Sequence, residues 1–246
     1  MARLLKHLVE APRACSYLPD TTASLEHRLM LEVGPDELDR LLERGWRRFG
    51  PDYFRPACPA CSKCVPTRLP VASFAPTRSQ RRARRKADGL RVMVGPPRVD
   101  DERLALYHRW HQDREAAREW SPSALDEHEY RMQFAFPHPA AREVAFHDDE
   151  AGGRLIGVGI CDEAPRAWSL VYFFFDPAYA ERSQGVSNVV VGVEIAASRG
   201  IPYVYLGYSV EGCASLRYKA SFGPREELHG WPRPGEAPRW VRAGEG

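Results

Sequence analysis

Cys58, Cys61 and Cys64 fall at three-residue intervals in FRPACPACSKCVPTRLP, residues 54–70. Thiolates are soft ligands, and two intervening residues let a loop fold back on one Zn ion or an Fe–S cluster. Three thiols leave one ligand position open. Cys15, in ACSYLPD, is the expected fourth ligand, because Cys161 and Cys213 fall in segments that read as the C-terminal core. The ordinary alternative is a proline-rich loop of reduced thiols, since three cysteines lack the specificity of a double Cys-x-x-Cys pair.

A second concentration of chemistry follows in TRSQRRARRKADG. Arg78, Arg81, Arg82, Arg84, Arg85 and Lys86 place six cations in nine residues with no acid among them. Such a run fits a polyanion, whose condensed counterions are released on binding. Ser79 and Gln80 are expected to add hydrogen bonds to phosphate or sugar. A solvated helix face is the bland alternative.

The third concentration lies towards the C-terminus. SLVYFFFDP reads as a strand buried on both sides, with Tyr172 and Phe174 on one face and Phe173 and Phe175 on the other. Asp176 at its end either caps the next turn or receives an amine. In YLGYSVEGCASLRYKASFGP, Gly207 marks a bulge or a close backbone approach. Tyr218 and Lys219 follow on a short expected helix, and this Lys has an apolar context. The eight histidines show no ligand spacing.

These residues need elements to hold them. The chain has 246 residues, 43% hydrophobic and 28% charged, enough for one large domain or two small ones with a sizeable core. Net charge is only +2, so the basic run is a local face rather than part of a polycation. No apolar run approaches the roughly 20 residues that span a bilayer. The start has no stretch of signal-peptide type, and a cytoplasmic location with free thiols is expected.

SLEHRLMLEV reads as a strand and PDELDRLLERG as a helix ending at Gly45. The basic run reads as a helix capped by Thr77 or Ser79 and stopped by Gly89. DDERLALYHRWHQDREAAREW, residues 100–120, reads as an amphipathic helix. GRLIGVGIC and AWSLVYFFF read as an antiparallel pair, followed by a helix ending at Gly200, a strand PYVYLGY and a helix CASLRYKASFG. The expected division is 1–76, a cysteine-containing lobe; 77–97, basic helix and linker; and 98–246, a transferase domain.

CSYLPD, YFRPACPACSKCVPTRLPV, TRSQRRARR, VYFFFDP, YVYLGYSVEGCASLRYKASFGPREEL and Trp231, in that order, resemble the aminoacyl-tRNA–protein transferases. The resemblance runs over residues 13–231. It implies an α/β, two-lobed, GNAT-like acyltransferase architecture with a mixed, mainly antiparallel sheet. It also implies transfer of an amino acid from charged tRNA to the α-amine of proteins starting with Asp or Glu, in the N-degron pathway. Leucine is favoured over arginine as the donor. The cysteines match those associated with Zn or Fe–S in some members, and Arg78, Gln80, Arg81, Arg82, Arg84 and Arg85 match the tRNA-contacting segment. Transfer itself needs no cofactor.

On this reading Asp176, with Tyr172 and Tyr208, holds and deprotonates the incoming amine. Lys219 or Arg182 pairs with the acidic side chain of the acceptor. Ser183 and Gly185 open a helix N-terminus towards the ester or terminal phosphate, and Gly207 and Tyr218 complete the substrate contacts. Two rivals use the same residues differently: an acyl-CoA-dependent acetyltransferase, for which RSQGVSN is a poor pyrophosphate loop, and a non-catalytic RNA-binding module with a structural metal.

Overall fold

Residues 141–175 alternate buried aromatic and aliphatic side chains so densely that they need cover on both faces, and the computed structural model provides it. The structure describes residues 2–118, 125–213 and 215–245. In chain order the first elements are β1 (Arg3–Val9), β2 (Arg13–Ala14), β3 (Thr22–Ala23), β4 (Leu25–Leu31), α1 (Pro35–Glu43), β5 (Arg47–Phe49) and β6 (Asp52–Pro56). Then come β7 (Cys64–Pro70), α2 (Arg78–Arg85), β8 (Leu90–Gly95), α3 (Asp101–Arg118) and α4 (Glu127–Phe134). The last are β9 (Ala141–Asp148), β10 (Arg154–Glu163), β11 (Ala167–Phe175), α5 (Gln184–Ser198), β12 (Tyr203–Val210), β13 (Glu226–Leu228) and β14 (Trp240–Arg242).

Eight strands form one sheet in the order β14-β13-β7-β12-β11-β10-β9-β8, and four form a second in the order β1-β4-β6-β5. All pairings in the large sheet are antiparallel except β11 with β12. The architecture is therefore mixed α/β and mainly antiparallel, as expected. On one face Trp168, Phe146 and Leu206 pack with the valines of α5. On the other, Phe174, Val158 and Leu155 pack with Tyr107 of α3 and Tyr130 of α4. Each fully buried side chain of this size contributes roughly 1.5–3 kcal/mol.

Local signals explain most boundaries. Thr77 and Gln80 form a reciprocal capping box at the start of α2. Gly45 and Gly200 follow α1 and α5 at φ +83° and +68°, the left-handed conformation that closes a helix. Gly89 does not stop α2, which ends earlier, because Ala87 and Leu90 turn into the core. The expected helix over CASLRYKASFG is only a 3₁₀ turn, Arg217–Ser221, since Phe222 is extended and buried; Ala214 lies outside the described residues. So do Glu119 and Trp120, at the end of the helix expected over 100–120.

The division at residues 76 and 97 does not follow the sheets. β7, from the first segment, is inserted between β12 and β13 of the large sheet, and β8, from the second, forms its far edge. The reason is hydrogen-bonding: β7 supplies the antiparallel neighbour that β12 needs along its whole length, from Tyr203↔Pro70 to Val210↔Cys64.

The small sheet docks on the large one through consecutive arginines of β5. Arg48 binds Asp162 of β10 and donates to Gly50 O at 2.9 Å, with Arg48 and Asp162 side chains only 7% and 1% exposed. Removing one member of a buried ion pair leaves the other charge unmatched. Asp162→Ala is expected to cost about 3–5 kcal/mol in chemical denaturation; a loss below about 1 kcal/mol would show that this pair does not anchor the sheets.

Candidate active site

β11 and β12 run side by side for only three residue pairs, Ala167↔Tyr203, Trp168↔Val204 and Ser169↔Tyr205. Beyond them the strands part. β12 bulges against β7 between Tyr205 and Gly207, and Gly207 takes φ +80°, a conformation that glycine adopts without strain. The gap is an open cleft. Its walls are residues 170–173 and Leu206, with Asn188 and Val189 of α5 above and Tyr218 and Lys219 of the 3₁₀ turn at the side.

A fork between strands exposes backbone groups that need partners. Leu170, the first residue past the paired stretch, has its carbonyl bound by Arg47 Nη2 from β5. Across the gap, Lys219 Nζ donates to Tyr208 O at 3.1 Å. Both cations converge on Gly207: a Cβ there would lie 3.4 Å from Lys219 Nζ and 3.6 Å from Arg47 Nε. Gly207 thus makes room for them. Burial, and then the Arg47 charge, pull the Lys219 ammonium down to about 7. Near neutral pH a partly deprotonated amine and a fixed guanidinium therefore stand together.

Arg47 escaped the sequence reading. Its only signal is the pair Arg47–Arg48 in the short run WRRFG; in the fold both side chains point inward, 8% and 7% exposed.

The other expected residues divide. Asp176 is buried but does not line the cleft: it accepts from Ala178 N at 3.0 Å, capping the turn Pro177–Arg182, and is ion-paired with Arg154 and Arg109. Its carboxylate is held by two guanidiniums outside the cleft. Tyr172 contributes to the cleft wall, yet its hydroxyl is hydrogen-bonded to His111 Nε2 at 2.9 Å among the rings of α3 and α4. The Tyr208 hydroxyl donates to Gly45 O at 2.9 Å. Burial pushes both phenols up, which keeps them neutral. Both hydroxyls are committed to partners within the fold. Arg182 faces Asp148 at 3.8 Å and lies over the Tyr179 ring, away from the cleft.

Ser183, in the left-handed conformation at φ +55°, immediately precedes α5 and borders a second hollow. That hollow lies between α2 (Ser79, Arg82, Lys86) and the segments carrying Val186 and Ser221. Gly185 has open space where a Cβ would stand, so crowding does not require glycine there. One turn of α5 also buries Gln184 and Ser187 with side-chain polar atoms lacking a partner among the described residues.

Gln80, expected at the nucleic acid, is committed elsewhere. It is 3% exposed, its Oε1 accepts from Thr77 N and its Nε2 donates to Ser221 O at 3.0 Å. It ties the basic helix to the turn that carries Lys219. Arg84 is bound by Glu194 and Asp88, and Arg81 by Pro76 O. The exposed Arg78, Arg82 and Arg85 side chains have no partner among the described residues. The basic helix and the cleft are therefore neighbours on one side of the molecule, joined by residues 217–221.

Cys15, Cys58 and Cys61 all raise the Cys64 thiol, which burial chiefly pushes up to about 12. The donor chemistry fits a soft metal and the four thiols gather at one end of β7 and β12. They are not in ligating positions: among the described residues no group of three takes an arrangement that would hold an ion, and Cys58 Sγ instead bonds the Ser24 backbone.

The chain is similar to known proteins over most of its length. Models of the N-terminal and C-terminal regions of arginine-tRNA-protein transferases match residues 13–82 and 102–229. An aspartate/glutamate leucyltransferase of Pseudomonas fluorescens (strain SBW25) is 35% identical over 227 residues, covering 91% of this chain and 94% of the relative. That of Chromohalobacter salexigens is 35% identical over 240 residues, covering 95% and 94%. Among solved structures, FemX superposes with a TM-score of 0.48 at 10% identity, covering 75% of this chain and 63% of FemX. L-PGS from Bacillus licheniformis does so at 0.44 and 12%, covering 74% and 52%. On the sequence matches, which take in both the basic helix and the cleft, the chain belongs to the arginine-tRNA–protein transferase family.

Proposed function

We propose that this protein transfers an amino acid, leucine in preference to arginine, from charged tRNA to the α-amine of polypeptides beginning with Asp or Glu. The observation that carries the reading is the strand fork with Lys219 inside it and the basic helix α2 beside it. Leu170, Val171, Phe173, Val189 and Leu206 give the mixed lining an apolar part, and none of the described lining residues is an acid that would hold a guanidinium donor. That composition, with the leucyltransferase relatives, supports leucine.

The ester is already activated, so the chain's main task is to bring two reactants together, a contribution of up to about 7–11 kcal/mol. The neutral α-amine attacks the ester carbonyl, the C–N bond forms and the C–O bond to the tRNA ribose breaks. Lys219, neutral above about pH 7, takes the proton the amine sheds and returns it to the departing ribose oxygen. Arg78, Arg82 and Arg85 hold the tRNA backbone.

Three outcomes test this. Labelled leucyl-tRNA with a Glu-starting peptide yields labelled peptide, and arginyl-tRNA yields at least tenfold less; label from neither donor removes the enzymatic reading. Because the Lys219 pKa is lowered, its basic form appears through pH 7 rather than near 10.5. The kcat/KM profile should therefore climb steeply below pH 7 and flatten above the acceptor amine's own value of about 8. Lys219→Met is expected to remove the limb near pH 7 and lower kcat by roughly 10²–10⁴-fold; an unaltered profile rules Lys219 out as proton acceptor. Replacing Arg82 and Arg85 by Ala should reduce the log–log salt slope of tRNA binding by roughly 1.5, and an unchanged slope would move the RNA contact elsewhere.

A further inference from the structure

Arg47 is almost wholly buried, and the small sheet places it against the fork. One arm, Nη2, is engaged by Leu170 O. The other, Nη1, is buried with no hydrogen-bond partner among the described residues. A guanidinium keeps its charge in any protein, and an unmatched buried cation is costly. Its surroundings do not compensate it. Besides Tyr208, Tyr205 and Cys161, the one acid acting on Arg47 is Asp162, and Asp162 is already bound by Arg48. Lys219, from the opposite wall, adds a second basic group at the same spot.

A chain keeps such a charge when its partner arrives with a ligand. The guanidinium that carries the free arm lies against Gly207, its Nε 3.6 Å and Cζ 3.7 Å from where a Cβ would stand, beside the fork in which the acceptor's amine is placed, and the side chain of an acceptor's first residue begins one bond from that amine's carbon. We infer that the free arm of Arg47 receives the side-chain carboxylate of the acceptor's first residue, making Arg47 the residue that selects Asp or Glu over their amides. The inference rests on the proposed transfer reaction for its substrate. It separates two tasks at the fork: Arg47 reads the acid and Lys219 handles the proton. A planar fork donor suits a carboxylate better than an ammonium does.

The test measures peptides beginning with Glu, Asp, Gln and Asn against the full chain, by calorimetry without tRNA and by kcat/KM for leucyl transfer. The wild type is expected to favour the Glu peptide over the Gln peptide by about 100-fold, the cost of leaving the cation unmatched. Arg47→Met should bring that ratio close to one by weakening the acidic peptide alone, and Arg47→Lys should reduce it about tenfold. The ratio is the decisive quantity, because a variant that merely loosens the fold weakens both peptides together. An unchanged ratio in Arg47→Met overturns the inference; if that variant does not fold, an unchanged ratio in Arg47→Lys does so. A wild type without acidic preference also overturns it. Should the wild type transfer nothing yet bind acidic peptides through Arg47, the proposed reaction fails and the inference stands. Should transfer proceed and the preference survive without Arg47, the reaction stands and the inference fails.

Discussion

Two parallel strands that pair for three residues and then separate impose most of what is distinctive in this molecule. A sheet interior is normally closed by its own hydrogen-bond ladder, and opening it leaves carbonyls that water or side chains must satisfy. Here cations do so, Arg47 at Leu170 and Lys219 at Tyr208. The need for room beside them accounts for Gly207 and its left-handed backbone. The fork also sets what surrounds it. β7 closes the far edge of β12, α5 roofs the gap, and the turn 217–221 is tied to the basic helix by Gln80.

The small sheet is part of this arrangement rather than an appendage. Its strand β5 delivers Arg47 and Arg48 side by side, one to the fork and one to Asp162. The ion pair that docks the sheets thereby also fixes the backbone from which Arg47 reaches the fork. Tyr208 reinforces the same joint by donating to Gly45 O, just before β5. This explains why the N-terminal third cannot be read as an independent lobe.

Much of this was legible in sequence where the signal was local. The alternation in residues 154–175, the glycine stops at Gly45 and Gly200 and the cap at Thr77 each depend on near neighbours, and each held. The family resemblance likewise rested on short ordered motifs. What was hidden depended on distant partners. Asp-Pro after a strand looks the same whether the carboxylate caps a turn or meets a substrate, and only Arg154 and Arg109 decide for Asp176. Gln80 within a basic run looks like a phosphate ligand until Ser221 is seen beside it. Arg47 was invisible because nothing in WRRFG announces burial. Lys219 stood out for the opposite reason, a lone Lys among apolar neighbours.

The central claim is that acceptor and ester meet in the fork between β11 and β12. A Glu-starting peptide carrying a diazirine on its second residue, irradiated with the protein and mapped by mass spectrometry, locates the acceptor directly. The account predicts adducts on residues 170–173, Leu206 and the turn 217–219, displaced by unlabelled peptide. Displaceable adducts confined to the cysteine loop or the outer face of the four-stranded sheet, with the fork unlabelled, would contradict it.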